Sequence, residues 1–401
     1  MNKLSNESKK YFTLDKTLVF LLAASAFVSL VAIALTPPFI GSALTRSYLI
    51  KQILWLVLGL ITMAVLIKFG TDRLFSLVNV FYFVLMFFLV ILAFGALGVF
   101  SFSFMAPVKG THAWFQIPFL GSFQPSEFMK IVLVIKAANI MTEHNEEKTS
   151  FSWASDFHLI YKIALWALPP LFLIFLQPDT GIPIVIVMSL AIMFIVSGVR
   201  REWFIIIVSL AAFLLGSIVF LYFNNKDFLN AIFEFFSGEG SYRLRRFDAW
   251  LGYANDPGGE GYHLFNSLLA QGTAGLFGHP LGSFIRSIPE AQTDFVFAVI
   301  SQNFGFFGAV TVIALVFALD IKLILITIRS NLQRERLLMI GIIGMIVFQD
   351  FQNIAMVTGI LPITGITLPF ISYGGSSLLS YFIPLSVAFT MSSETENEHR
   401  H

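Results

Sequence analysis

The sequence predicts an all-α, polytopic membrane protein of ten transmembrane helices. Three observations predict it. Hydrophobic residues make up 57% of the 401 and charged residues only 12%, about half the charged share of a soluble domain. Such a chain has too little polar surface to cover itself in water. The apolar residues run in windows long enough for a helix to cross a bilayer, rather than in the short alternating strands of a membrane barrel. Lys and Arg gather in every second connection, the asymmetry that sets orientation in a membrane.

The ten windows fall at 17–36, 50–68, 74–94, 126–142, 159–177, 181–198, 203–223, 294–319, 337–359 and 367–391. The basic start, Lys3 to Lys16, runs into the first window without a small-residue cleavage pattern, so the first helix is read as a retained span. The fourth window is short and carries Glu127 and Lys130. One side of the membrane receives Lys3, Lys9, Lys10, Lys16, Lys68, Arg73, Lys148, Lys162, Arg200, Arg201, Lys322, Arg329, Arg334 and Arg336. The opposite short loops hold only Arg46, Lys51 and Lys109. Residues 1–16 and 392–401 are therefore expected to be cytoplasmic tails around one membrane domain, 17–391. The pieces expected outside are 95–125, 177–181 and a large loop, 224–293, between the seventh and eighth helices. That loop carries two amphipathic pieces near 227–236 and 262–270, suited to the interface, and is punctuated by Gly258, Gly259 and Gly261. Glu394 to His401 is polar and expected to be disordered.

Asp294 stands where the apolar run Phe295 to Leu319 meets water. A carboxylate is expensive to desolvate there, which marks it as a functional-site candidate. Ser301 and Gln302, seven and eight residues on, are expected on its helical face. The bland alternative is an acid that stabilises a helix N-terminus, since Pro289 and Thr293 suit a helix start. Glu127 and Lys130 are spaced to pair on one helix face. They form either an interhelical ion pair or a lysine held ready for a phosphate. Asp179 lies in a tight turn, where a turn-forming role competes with a functional one.

Gln349, Asp350, Gln352 and Asn353 sit deep in the ninth window and must face the bundle interior. Gly374 and Gly375 in the tenth suit close helix approach. Arg243, Arg245 and Arg246 in the long loop suit bidentate phosphate contact or a solvated face. His112 and His263 are isolated, with no metal-ligand spacing. The chain has no cysteine, so disulfide and thiolate chemistry are excluded. No Walker loop, dinucleotide fingerprint or nucleophile elbow appears.

Seven ordered motifs then carry a resemblance: Gly110-Thr-His-Ala-Trp114, Gln124-Pro-Ser-Glu-Phe-Met-Lys130, Gln177-Pro-Asp-Thr-Gly181, Arg246-Phe-Asp-Ala-Trp250, Gly261-Tyr-His-Leu264, Pro289-Glu-Ala-Gln-Thr-Asp-Phe-Val-Phe297 and Leu368-Pro-Phe-Ile-Ser-Tyr-Gly-Gly-Ser-Ser377. In this order they resemble the SEDS family (shape, elongation, division and sporulation), which includes the RodA and FtsW cell-wall polymerases. The chain departs from the family around Gln271–Ala274 and Gly278–Gly282.

The resemblance implies a peptidoglycan glycosyltransferase that polymerises lipid II on the outer face of a bacterial cytoplasmic membrane. It implies Asp294 as the catalytic acid of the family's TDF motif, acting as general base on a sugar hydroxyl with inversion and an undecaprenyl-pyrophosphate leaving group. Glu127, Lys130, Trp114, Gln124, Asp179, Arg246, Gln292, Thr293 and Ser376 fall on motif positions expected to bind substrate. A divalent cation, Mg or Mn, is implied with no ligand set here to place it. The implied partners are a single-span class B penicillin-binding protein, other elongasome or divisome proteins and membrane lipids, with no nucleic acid. A lipid II flippase is the rival expectation.

Overall fold

The computed structural model describes residues 12–99, 103–105, 111–117, 121–148, 152–177, 179, 181–237, 240–252, 261–281, 283, 288 and 290–399. Lys3, Lys9, Lys10, Lys109, Gly110, Gly258, Gly259, Pro289 and the side chains of Arg243 and Arg245 lie outside the described residues. In chain order the elements are α1 (Lys16–Ala34), α2 (Pro37–Ile40), α3 (Ser42–Phe69), α4 (Thr71–Ser76), α5 (Val78–Ala96), a 3-10 turn (Ser103–Met105), β1 (Phe115–Ile117), β2 (Gly121–Phe123), α6 (Pro125–Glu147), α7 (Trp153–Phe175), α8 (Gly181–Val196), α9 (Glu202–Asn224), α10 (Lys226–Ser237), α11 (Gly240–Leu251), α12 (Tyr262–Thr273), α13 (Val296–Arg329), α14 (Gln333–Val357) and α15 (Gly375–His399). The protein is an all-α polytopic membrane protein with, among the described residues, one small antiparallel hairpin, in which Phe115 faces Phe123.

Each predicted window overlaps a helix. Seven of these, α1, α3, α5, α7, α9, α13 and α14, are long and apolar enough to cross a membrane. α8 is apolar but shorter, and α6 and α15 are diluted by polar residues. Burial separates centre from periphery. In its apolar window α14 is 72% buried, whereas the apolar window of α9 has no buried residue and offers lipid a continuous apolar surface; Trp203 at the start of α9 is buried. α6 lies at the centre with α14 and is buried on every face from Met129 to Ile135, as expected of a helix surrounded by others. α3 and α15 approach through small residues. A side chain at Gly59 would overlap the ring of Phe382, and one at Gly375 would overlap Trp55. Gly374 meets nothing closer than Ser377 Cβ at 3.5 Å, so only one of the two predicted glycines serves this approach.

The structure corrects the sequence reading at three places. The eighth window is not one straight span ending at Leu319. α13 kinks at Gly305 (φ 62°, ψ −152°) and then continues to Arg329. Lys322 is tolerated in this extension because Asp15 pairs with it at 2.7 Å. The first part of α13, Val296 to Asn303, is buried at every residue. Freed donors at the kink are taken by the segment after α12: Phe306 N–H donates to Gly275 O (2.9 Å) and Phe307 N–H to Leu276 O (3.2 Å), while His279 N–H returns to Gln302 O (2.9 Å).

The tenth helix begins at Gly375, not 367. Pro369 has no donor to give a helix, and the Ser372 hydroxyl accepts from Leu368 N–H at 2.9 Å, a local bond that competes with helix formation. The tail expected to be disordered is helical to His399. It is anchored where Ser392 donates to Asp15 (2.8 Å) and Thr13 N–H donates to Ser393 (2.9 Å).

Within the long loop, α10 and α12 fall on the two amphipathic pieces, and α11 is additional. α11 is tied down by tertiary bonds, among them Trp250 Nε1–H to Gly359 O at 2.8 Å.

Candidate active site

Asp294 stands on a turn, residues 290–295, that precedes α13. The helical phase expected to link Asp294 to Ser301 and Gln302 therefore does not reach it. Ser301 and Gln302 are both buried; Ser301 donates to Phe297 O (2.8 Å) and Gln302 to Ser283 O (3.3 Å). Glu290 closes the turn from a left-handed conformation, φ 53°, uncommon for a residue with a side chain. Its carbonyl accepts from Thr293 N–H (3.0 Å) and Phe295 N–H (3.3 Å). Its carboxylate accepts from the Thr293 hydroxyl (3.1 Å) and the Gln292 amide (3.4 Å).

Three successive carbonyls of this turn are fastened by the C-terminal part of the chain. Gln292 O accepts from Tyr373 N–H at 2.8 Å, Thr293 O from the Ser372 hydroxyl at 2.7 Å, and Asp294 O from Asn353 Nδ2 at 2.9 Å. The same Asn353 amide donates to Ile366 O at 2.7 Å. The Asp294 side chain is half-buried. The chain at Gly365, φ 76°, passes along it, so that a Cβ there would lie 3.5 Å from Asp294 Oδ2.

A second group gathers around α6. Lys130 is wholly buried and pairs with Glu127 at 2.5 Å. Gln124, just before the helix, donates from its side chain to Asp179 Oδ2 (2.9 Å) and from its backbone to Ser376 Oγ (3.0 Å). Ser376 in turn donates to Ser122 O at 3.3 Å. The other Asp179 oxygen accepts from Gly181 N–H (3.1 Å) and Ile182 N–H (3.3 Å), capping α8. Desolvation pushes the Asp179 carboxyl up to about 6, and the Glu127 charge adds to the rise. The bonds from Ile182 and Gly181 and the charge of Arg246 oppose it. Asp179 is thus both the turn-former and a member of a charged group.

The loop 358–374 joins the two groups. Arg246 on α11 donates to Thr364 O at 3.1 Å, one residue from Gly365 beside Asp294. Gln352 donates to Thr364 Oγ1 at 3.2 Å, and a Cβ on Gly181 would meet Ile366 at 3.1 Å and Thr364 O at 3.8 Å. Trp114 is half-buried immediately before β1, and none of these contacts ties it to the rest. Gln292 is buried and Thr293 half-buried within the Asp294 turn.

His263, isolated in sequence, places its ring 6.1 Å from that of Phe295. Asn353, Ser372 and Glu290 were not expected as site residues. The four polar residues of the ninth window were the available signal for Asn353; no sequence pattern gives the left-handed backbone of Glu290. Among the described residues no three His, Cys, Asp or Glu side chains gather as a cation site.

Fold and site together define a polytopic membrane protein with an ionisable centre at one end of its helix bundle. The chain belongs to the FtsW/RodA/SpoVE family, whose model, described as cell cycle protein, matches residues 13–397. Among its relatives is the probable peptidoglycan glycosyltransferase FtsW of Lactococcus lactis subsp. lactis, 30% identical over 318 residues that cover 75% of this chain and 72% of that protein. Its fold is similar to a chain of a peptidoglycan synthase complex whose structure concerns the coordination of polymerization and crosslinking. That match has TM-score 0.72 and 26% identity, and covers 96% of this chain and 99% of the other. It is also similar to a variant of the Thermus thermophilus rod shape determining protein RodA, with TM-score 0.65, 25% identity and coverage of 95% and 98%.

Proposed function

We propose that this chain is a peptidoglycan glycosyltransferase that joins lipid II disaccharides into glycan strands, with Asp294 as general base. Family membership and the polymerase relatives support the reaction class. One observation carries the role of Asp294: the residue is only half-buried, while three consecutive carbonyls of its turn are held by Tyr373, Ser372 and Asn353. A reactive group fixed by its neighbours in this way is preorganised for chemistry.

In the reaction, the 4-hydroxyl of an incoming lipid II attacks the anomeric carbon of the growing strand. The new glycosidic bond forms as the bond to undecaprenyl pyrophosphate breaks, and the anomeric configuration inverts. Asp294 takes the hydroxyl proton, a contribution of typically ~10²–10⁴-fold. Arg246 and the charge of Lys130 offset the departing pyrophosphate. Gln124, Asp179, Ser376, Gln292, Thr293 and Trp114 shape the surface on which the lipid-linked sugars lie. Asp294 or Asp179 would hold a Mg or Mn ion only together with oxygens of the pyrophosphate, whose charge the ion would offset, since no three metal-ligating side chains gather among the described residues.

The Lys/Arg asymmetry supports ten spans with both termini cytoplasmic, so that Asp294 faces outside. The likeness to a synthase-complex chain supports a crosslinking partner, the class B penicillin-binding protein. The test is gel analysis of glycan made from purified lipid II by the protein with that partner. Asp294→Asn should make no polymer while staying folded and bound to the partner. Polymer at the wild-type rate would remove Asp294 from the chemistry, and loss of lipid II translocation by Asp294→Asn would favour a flippase.

A further inference from the structure

We propose that Tyr381 is a positioning residue for polymerisation, holding the Lys130 ammonium through its phenol oxygen; this rests on the polymerase reading. Tyr381 and Lys130 are both fully buried. Lys130 Nζ donates to Tyr381 Oη at 3.0 Å and lies 4.2 Å from the centroid of the same ring. The Tyr381 hydroxyl donates in turn to Gln349 Oε1. A phenol has one hydrogen to give. With that hydrogen committed to Gln349, the oxygen facing Lys130 can only accept. The Lys130 ammonium can only donate, so the phenol oxygen accepts from it and passes its one hydrogen to Gln349, while Glu127 supplies the counter-charge at 2.5 Å.

Tyr381 also touches the loop that fastens Asp294. Its ring lies 5.5 Å from that of Phe370, and Phe370 has a left-handed backbone, φ 61°. Strain of this kind persists only where the surroundings enforce it, and it clusters at functional sites. Phe370 is two residues from Ser372, which holds Thr293 O, and five from Gly365, which lies along the Asp294 carboxylate. One buried side chain thus contacts both the Lys130–Glu127 pair and the strap of the Asp294 turn. Having no exposed surface, it acts through those groups and not on substrate.

The test uses the complex with its transpeptidase partner and lipid II as substrate. Tyr381→Phe keeps the ring beneath Lys130 and removes only the acceptor. The expected result is a fall in kcat of roughly ten- to a hundredfold, the scale of a misplaced catalytic group, with KM within about twofold of wild type. A wild-type kcat, or a change confined to KM, overturns the proposal. If Tyr381→Phe does not purify as a folded complex, Gln349→Met decides, since it leaves the phenol in place and removes the acceptor that orients its hydroxyl beside Lys130: a kcat loss supports the proposal and wild-type kcat overturns it. Asp294→Asn runs in parallel. Polymer from that variant would sink the general-base reading while leaving the Tyr381 result to decide the support of Lys130.

Discussion

Gly305→Ala probes whether the kink in α13 sets the position of Asp294. Gly305 has φ 62° and ψ −152°, a region that residues with a side chain avoid, and occupying it costs on the order of 1–3 kcal/mol. An added Cβ would also fall 2.6 Å from Leu276 C and 2.7 Å from Gly275 O. Those are backbone atoms and cannot swing aside, so overpacking adds about 1–3 kcal/mol more. The sum is roughly 2–6 kcal/mol, a large share of a typical domain's stability.

Relief requires the segment 274–279 to move away from the buried turns Val296–Asn303, and Asp294 rides on the start of that unit. Thermal unfolding of the purified protein should show a clear drop for Gly305→Ala, with polymerisation falling by about 10²-fold if the carboxylate shifts by an ångström. Gly216→Ala is the control. Gly216 lies in α9 with nothing within 4 Å, so alanine there should stabilise the helix by up to about 1 kcal/mol. If Gly305→Ala melts with the wild type, the kink is not enforced by the contact with 274–279 and the argument fails.

Two further outcomes follow from the site. Asn353→Leu leaves Asp294 O and Ile366 O without their donor, at about 1–3 kcal/mol for each carbonyl left unpaired; steady-state assays should show kcat falling with little change in KM. Asp179 has a carboxyl raised from 3.8 to about 6 in the folded protein, so the native state holds its proton more tightly than the unfolded chain does. The resulting stabilisation is full below pH 3.8 and is lost as pH rises through about 6. Asp179→Asn should flatten that stretch of the melting-temperature profile, and an unchanged slope would refute the assignment.

The Glu127–Lys130 pair was legible because a helix brings residues three apart onto one face, and the structure gives that pair. The polar run of the ninth helix was legible as inward-facing, because lipid cannot satisfy an amide. Its destination was not: Asn353 reaches the carbonyl of a residue 59 positions earlier, and no local pattern encodes that register. Asp294 was legible as an acid at the edge of an apolar run. Its place on a turn, rather than a helix, depended on Glu290 taking a left-handed backbone under bonds from Thr293 and Phe295. Gly305 read as one more small residue in an apolar stretch, since what leaves no room for a side chain there is the distant segment Gly275–Gly278, met only in the folded chain.

The sequence by itself determined the class of molecule, most of the places where helices run and which acid stands beside an apolar run. These follow from solvation, which acts residue by residue along the chain. Only the tertiary structure decided which carbonyls hold the Asp294 turn, which loop unites Arg246 with Gly365, and which tyrosine supports Lys130. Those depend on bonds between residues far apart in sequence, and their partners exist only once the helices have packed.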